Sequence, residues 1–297
     1  MADRVDGVLL VDKPPGITST KALALSRRAL DAPKAGHTGT LDPFATGLLP
    51  LVFGEATKFS RFLLDSDKSY LATLCLGSVS STGDTEGTIH QLCDSYPHID
   101  DVRRKLAIFL GVSRQVPPMH SAVRIDGRRL YDLARQGVEV ERPSREVRIN
   151  SIEMEEMRAE KLVISVNCSK GTYVRTLAED LGKALGCGAY LTALRRTAIG
   201  RFRVDDAASP EALHLLGPAA ARDRLLPAQV LVETLPRIDL DERGAWAIRN
   251  GQVLAAAPQS LPGEHALFGP DGALVGVGAV AQGKLTATRL LDTGHGG

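Results

Sequence analysis

The chain has 297 residues, of which 43% are hydrophobic and 24% charged, and its formal net charge is +1. These proportions are typical of a globular protein and exclude a wholly disordered chain, a collagen and a coiled coil. The apolar run at residues 8–11 is too short for a signal peptide or a spanning helix, which needs roughly 18 apolar residues, so we expect a cytoplasmic protein.

The N-terminal elements lead into a loop that is rich in glycine. An apolar strand is predicted at residues 7–11, followed by a proline-glycine turn. Thr18 or Ser19 then caps a helix that continues to residue 30. Residues 36–47 contain three glycines and form a loop rather than a regular element.

Strands and helices alternate through the middle of the chain. Residues 69–76 alternate well enough for a strand, and residues 78–88 form a polar loop. Apolar residues at helical spacing predict a helix at 99–110. A strand at 161–168 and a helix at 172–185 follow.

The last 60 or so residues have a different character. A short helix is predicted at 242–249, and strands of small residues with glycine turns at 266–267 and 274–280. We therefore expect two domains, 1–235 and 236–297, the second compact and rich in β-structure.

Charge is segregated along the chain despite the near-zero total. Residues 170–203 carry seven basic and two acidic side chains, and residues 114–135 carry five arginines and two aspartates. This pattern predicts a one-sided anion-binding face, with Arg195 and Arg196 among its phosphate contacts; the alternative is charge on a solvated surface.

The cysteines predict neither a metal site nor a disulfide framework. Cys75, Cys93, Cys168 and Cys187 form no C-x-x-C pair, and no histidine lies at zinc-ligand spacing from them. The sequence also contains no P-loop, dinucleotide-binding or metal-ligand pattern. We expect four free thiols, no metal and no other cofactor.

The glycine-rich loop contains the first candidate catalytic group. It reads Gly-His-Thr-Gly-Thr-Leu-Asp-Pro-Phe-Ala-Thr-Gly-Leu-Leu-Pro over residues 36–50. Pro43 disfavours the helical region for Asp42, so the loop can present one carboxylate on an extended, rigid backbone.

This loop closely resembles the catalytic signature of the bacterial TruB family of tRNA pseudouridine synthases. Further motifs resemble the family in the same order: 13–19 (KPPGITS), 68–70 (KSY), 115–122 (QVPPMHSA) with Gly127 and Tyr131, 169–175 (SKGTYVR), and 190–196 with Gly200 and Phe202. The resemblance covers residues 7 to about 235 and is only loose beyond them. Arg124 departs from it, since the family more often has lysine there.

The resemblance implies an α+β pseudouridine-synthase fold. Its central sheet is mixed, mainly antiparallel and flanked by helices and loops, and a small PUA-like domain that contacts RNA follows. The implied reaction isomerises uridine 55 in the tRNA T-loop by base flipping: the glycosidic bond breaks, the base turns, and C5 bonds to C1′. The implied partner is the T-arm of tRNA, for a monomer that needs no guide RNA, protein partner or membrane.

Residue roles follow from the same resemblance. Asp42 is the catalytic carboxylate, which attacks C1′ or C6 or deprotonates the sugar. Arg175 pairs with it and keeps it ionised, the alternative being a phosphate contact. Tyr70 stacks on the uracil with its hydroxyl near the C5 proton, although a tyrosine in a strand is commonly packing. Tyr173 and Leu194 line the pocket, where Leu194 also suits the core.

The remaining binding residue is His37, which the resemblance places in the gap left by the flipped nucleotide. Lys13 suits either a phosphate contact or a structural turn, and we leave it out of the site.

Three other functions share some of these features. Guide-RNA-dependent relatives carry the same motifs, but with a fuller PUA domain and, in eukaryotes, charged tails. An RNA-folding chaperone would not need Asp42, Tyr70 and Arg175 together, although chaperone activity could accompany catalysis. A glycoside hydrolase usually needs a second opposed carboxylate, and no motif supplies one.

Overall fold

The computed structural model describes residues 4–121, 124–125, 127–138 and 140–292, arranged around two main β-sheets. The strands are β1 (Gly7–Lys13), β2 (Ala35–His37), β3 (Thr46–Phe53), β4 (Lys68–Leu76), β5 (Ser78–Ser80), β6 (Ile89–Gln91), β7 (Gly111–Gln115), β8 (Arg124–Ile125), β9 (Arg128–Arg129), β10 (Arg145–Arg158), β11 (Lys161–Cys168), β12 (Ala189–Ile199), β13 (Phe202–Arg203), β14 (Arg237–Asp239), β15 (Leu254–Ala255), β16 (Gly263–Phe268), β17 (Leu274–Ala281) and β18 (Lys284–Leu290).

Helices connect and cover these strands. The α-helices are α1 (Ser19–Ala29), α2 (Ser60–Leu64), α3 (Ile99–Ile108), α4 (Leu130–Arg135), α5 (Val174–Leu185), α6 (Pro210–Arg222) and α7 (Glu242–Arg249). Short 3-10 helices occupy Gly54–Phe59, Val204–Asp206 and Ala228–Leu231. No helix in the described part of the chain is both long enough and apolar enough to cross a membrane.

The larger sheet is mixed and mainly antiparallel, as predicted. Its main path runs β1-β3-β12-β4-β11-β10-β7, with β2 on β3 and β13 on β12. Only the contact between β12 and β3 is parallel. This contact matters for the site because it joins the strand of Leu194 to the strand that follows the Asp42 loop.

Most predicted elements form close to their predicted bounds. Thr18 caps α1 by accepting a hydrogen bond from the Lys21 N–H, and α5 ends at Gly186 with a left-handed φ of 76°. Helix α5 begins at Val174, two residues later than predicted. The Gln115 side chain accepts a hydrogen bond from the Tyr173 N–H at 2.9 Å, and this contact holds Tyr173 outside the helix.

Two strand regions differ from the sequence prediction. The polar segment 78–88 is a loop only in part, because β5 pairs with β6 as a hairpin. Strand β10, which carries Glu153, Glu155 and Glu156, was not predicted. Register shifts between Ile149 and Ser151 and between Met154 and Glu156 interrupt its alternation, so the period-2 signal is lost.

The C-terminal sheet follows the order β14-β16-β17-β18-β15, which confirms the β-rich expectation for this region. It is not separate from the first sheet. Phe268 and Val277 share one buried cluster with Val8 and Leu48, and Lys58 Nζ donates to the Leu290 carbonyl at 2.8 Å. The division at residue 235 and the PUA-like character therefore stay predictions.

Candidate active site

A cavity of about 270 Å³ lies where the Asp42 loop, β4, β12 and the start of α5 meet. The structure brings most of the predicted site residues to its wall: Asp42, Tyr70, Tyr173, Arg175 and Leu194. His37 instead lines an adjoining cavity of about 350 Å³, which shares Asp42 and Arg175 with the first. Asp42 and Arg175 thus stand between two cavities.

The backbone of the Asp42 loop is held by hydrogen bonds from two side chains outside the loop, Ser19 and Lys13. Ser19 Oγ donates to the Leu41 carbonyl at 3.0 Å and accepts from the Leu41 N–H at 2.8 Å. The fully buried Lys13 donates through Nζ to the carbonyls of Ile17 and Pro43 at 2.8 and 3.2 Å. Burial lowers the pKa of Lys13 to about 8. These contacts make Lys13 a structural residue beneath the loop.

Arg175 lies against the Asp42 carboxylate. Its Nε is 3.0 Å from Asp42 Oδ2, and its Nη2 donates to Oδ1 at 3.3 Å. The guanidinium also donates to the carbonyls of Thr82 and His120 at 3.1 and 2.5 Å. Arg175 is only 3% exposed, so a phosphate on the protein surface cannot reach it, and the pairing interpretation fits the geometry better.

A second carboxylate, Asp84, completes this buried network. Its Oδ2 lies 3.4 Å from Arg175 Nη1, and the residue is 2% exposed. Sequence reasoning missed Asp84 because a single acid in a loop of Ser, Thr and Gly has no distinguishing spacing. Only the approach of that loop to α5 gives the residue a role.

The electrostatic balance at Asp42 follows from these neighbours. Burial raises the pKa of the Asp42 carboxyl above its ordinary value of 3.8, the Arg175 charge opposes that effect, and Asp84 adds to it. An ionised Asp42 therefore depends on the guanidinium that also orients it.

Tyr70 of β4 and Arg196 of β12 are cross-strand neighbours in the larger sheet. They are directly paired in the register of β4 with β12, so their side chains share one face. Burial raises the pKa of Tyr70, and the Arg196 charge opposes the increase.

The prediction that Arg196 binds phosphate is wrong. Arg196 is 1% exposed and donates to the carbonyls of Gly39, Thr40 and Leu48 at 3.1, 3.3 and 2.7 Å. Arg195 points to the opposite face, where it binds both carboxylate oxygens of Asp12 at 3.0 and 2.8 Å. Neighbouring strand residues alternate between faces, and a count of charges along the chain does not register this.

Other polar groups at the two cavities were not predicted either. Ser121 lines both of them, and its Oγ is buried without a hydrogen-bond partner among the described residues. The following residue of the 115–122 motif, Ala122, lies outside the described residues.

Within the described ranges, no three His, Cys, Asp or Glu side chains are grouped to hold a metal ion. The four cysteines are free.

Comparison with known families covers nearly the whole chain. Residues 27–174 match the model of the TruB family pseudouridylate synthase N-terminal domain. Residues 175–233 match the tRNA pseudouridylate synthase B C-terminal domain, and residues 236–291 match the C-terminal model of pseudouridine synthase II TruB.

Individual relatives and solved structures agree with these matches. The tRNA pseudouridine synthase B of Aromatoleum aromaticum is 52% identical over 97% of this chain and 94% of its own length. That of Thiobacillus denitrificans is 48% identical over 97% of both chains. A chain from a Cbf5-Nop10-Gar1 complex superposes with a TM-score of 0.74 at 26% identity, over 97% of this chain and 84% of that one. The chain therefore belongs to the TruB family of pseudouridylate synthases.

Proposed function

We propose that this protein isomerises uridine to pseudouridine at position 55 in the T-loop of tRNA. One observation carries the proposal: Asp42, held by Arg175, projects into a cavity that Tyr70 also lines, in a chain of the TruB family. The relatives described above are named tRNA pseudouridine synthase B, which supports tRNA as the substrate.

The reaction requires a flipped nucleotide, because its target atoms are inaccessible within a stack. In our proposal the uracil enters the 270 Å³ cavity and stacks on Tyr70, while Leu194 and Tyr173 form the other walls. His37 takes the space that the nucleotide leaves. Burial lowers the pKa of His37, which favours the neutral, flat ring that such a replacement needs.

The chemical step exchanges one bond at the sugar for another. The ionised Asp42 assists cleavage of the bond between C1′ and N1. The detached uracil turns within the cavity, C5 bonds to C1′, the C5 proton leaves, and N1 gains a proton. We propose that Tyr70 relays the C5 proton: the phenol oxygen accepts that proton while its own hydroxyl proton passes to solvent, so the side chain stays neutral, as its raised pKa requires. Substrate and product are isomers.

We propose that the protein acts in the cytoplasm as a monomer, without a guide RNA or protein partner. The family models and the bacterial relatives cover almost the entire chain, which supports a stand-alone enzyme. We also propose that residues 1–235 carry out catalysis and that residues 236–297 contact the RNA. An accompanying tRNA-folding activity is compatible with this arrangement.

The test is incubation with an unmodified tRNA transcript, followed by carbodiimide-dependent primer extension. We expect one stop, in the T-loop at position 55, with wild-type protein and none with Asp42→Asn. A transcript without any stop would overturn the enzymatic proposal, and a stop elsewhere would overturn the assignment of the position.

A further inference from the structure

Arg145 lies beside two residues that form part of the wall of the candidate active site. Its guanidinium carbon is 5.1 Å from the centroid of the Tyr173 ring. Its side chain also packs on Gly171, where an added Cβ would meet Arg145 Cδ at 3.4 Å and Nη1 at 3.5 Å. Tyr173 and Gly171 both line the cavity, whereas Arg145 does not.

The neighbouring strand fixes the other side of this arrangement. Gln115 of β7 is paired in register with Arg145 of β10. The Gln115 amide accepts the Tyr173 N–H at 2.9 Å and donates to the Tyr173 carbonyl at 3.2 Å. One cross-strand pair therefore holds both the backbone and the ring of Tyr173.

The positive charge of Arg145 is not neutralised by an acidic side chain among the described residues. Within the described part of the chain, its side chain makes no ion pair and no hydrogen bond, and it is half-buried. Nearby basic residues are engaged: Lys170 pairs with Asp65 at 2.8 Å, and Arg114 donates to Ser144. Arg145 differs from them because, among the described residues, its charge contacts only an aromatic ring, that of Tyr173.

A guanidinium that is partly desolvated and stacked on an aromatic ring is preorganised for binding an anion. The guanidinium is planar by delocalisation, stacking holds it in place, and its edge can then bind two oxygens of one phosphate. A nucleotide flipped into the cavity has a phosphate on each side of its ribose. We infer that Arg145 binds an RNA backbone phosphate adjacent to the flipped nucleotide, and that its stack on Tyr173 sets the position of this phosphate relative to the cavity. The inference rests on the proposed function.

Arg145→Met tests this inference because methionine keeps an apolar stem against Tyr173 but removes the charge. Binding of a T-arm stem-loop would be measured over a range of KCl concentrations in the Asp42→Asn background, where the RNA is not converted. We expect the slope of log affinity against log salt to decrease in magnitude by about 0.7, the share of one single-strand phosphate. Affinity at low salt should fall about threefold to tenfold, as expected for one lost contact.

Three further variants make the result specific. Arg145→Lys keeps the charge and should keep the wild-type slope. Arg145→Gln should repeat the loss if the Met variant does not fold. Arg158→Met, at the other end of β10 and about 40 Å away at ~3.3 Å per residue, should change neither slope nor affinity.

A rate measurement with Asp42 intact distinguishes two roles for Arg145, namely binding a phosphate and holding the Tyr173 ring in place. The quantity measured is the single-turnover rate of pseudouridine formation. At saturating RNA, weaker binding no longer limits the reaction. Arg145→Met should therefore react within about threefold of wild type, a difference of less than ~1 kcal/mol. An unchanged salt slope would overturn the inference, and a lower rate with that unchanged slope would show that Arg145 only supports the ring. Failure of the proposed function would appear separately, as wild-type protein that binds RNA but forms no pseudouridine.

Discussion

The floor and the rim of the candidate active site use basic side chains in different ways. We define the floor as Arg175 and Arg196, which are buried and direct their donors to carboxylates and backbone carbonyls. We use rim for the cations around the site that solvent reaches: Arg145 and Lys170 beside the cavity, and Arg195 on the opposite face of the same sheet. Floor cations fix the Asp42 loop and line the cavity, where a phosphate on the protein surface does not reach them, whereas rim cations are accessible to such a phosphate. The net charge of the 170–203 segment therefore overstates the charge that faces the RNA.

The largest expected effect is on turnover and concerns the anion that the floor holds. Asp42→Asn keeps the size of the side chain and removes its charge, so pseudouridine formation should fall by orders of magnitude, to background. Affinity for tRNA should stay within about tenfold of wild type, that is within ~1.4 kcal/mol. Primer extension and filter binding on one preparation measure both quantities. Joint loss of binding and activity in a folded variant would show that the loop docks RNA instead.

The second effect is on folding and separates Arg196 from Arg195. Arg196→Met leaves three buried carbonyls without their donor, so we expect the free energy of unfolding to fall by about 3 kcal/mol. Arg195→Met removes a half-exposed pair with Asp12 and should cost less than ~1 kcal/mol. Urea denaturation followed by circular dichroism measures the two values. Equal losses would remove the distinction between floor and rim.

The third effect concerns how the floor orients Arg175. Asp84→Asn removes the anion 3.4 Å from Arg175 Nη1, so the guanidinium is held less firmly against Asp42. We expect the single-turnover rate to fall by roughly tenfold, about 1.4 kcal/mol, with little change in RNA affinity. Glu86→Gln is the matched control, because Glu86 is an exposed acid two residues further along the same loop. A comparable loss in Glu86→Gln would indicate that only the local negative charge matters.

The fourth prediction follows from the raised pKa of Asp42. A carboxyl whose pKa is higher in the folded than in the unfolded chain stabilises the fold only at low pH, and this contribution is lost as pH rises through the folded pKa. Asp42→Asn should therefore unfold with a higher free energy than wild type near neutral pH. The difference should shrink as pH falls toward 3.8, the ordinary aspartate value.

Chemical denaturation of both proteins across this pH range is the appropriate measurement for the fourth prediction. A variant that is less stable than wild type at neutral pH would mean that the attraction to Arg175 outweighs the burial of the carboxylate.

The smallest expected effect is on the salt dependence of RNA binding. Arg195→Met should lower the magnitude of the log-log slope by at most about 0.9, the share of one duplex phosphate, because Asp12 competes for this guanidinium. The folded Arg196→Lys variant should keep the slope of wild type. A change of slope in Arg196→Lys but not in Arg195→Met would reverse the assignment of floor and rim.

Many local features could be predicted because they depend on neighbouring residues. The bounds of β11 and α7 equal the predicted ones, and the cap at Thr18 follows from its hydroxyl. Strand β10 could not be predicted, since its alternation is interrupted where it pairs with β11. Buried polar residues were equally hidden: the roles of Asp84 and Arg196 depend on partners that lie far away in the chain.

The sequence by itself determined the family resemblance, because the motifs and their order are properties of the chain, and that resemblance in turn implied the mixed sheet and the candidate residues. Only the tertiary structure decided which charges meet. Arg175 is separated from Asp42 by 133 positions and Arg196 from Gly39 by 157, and the contacts form only where β12 and α5 pack against the loop. A side chain's role as floor or rim depends on burial, and burial is set by the packing of elements that are distant in sequence.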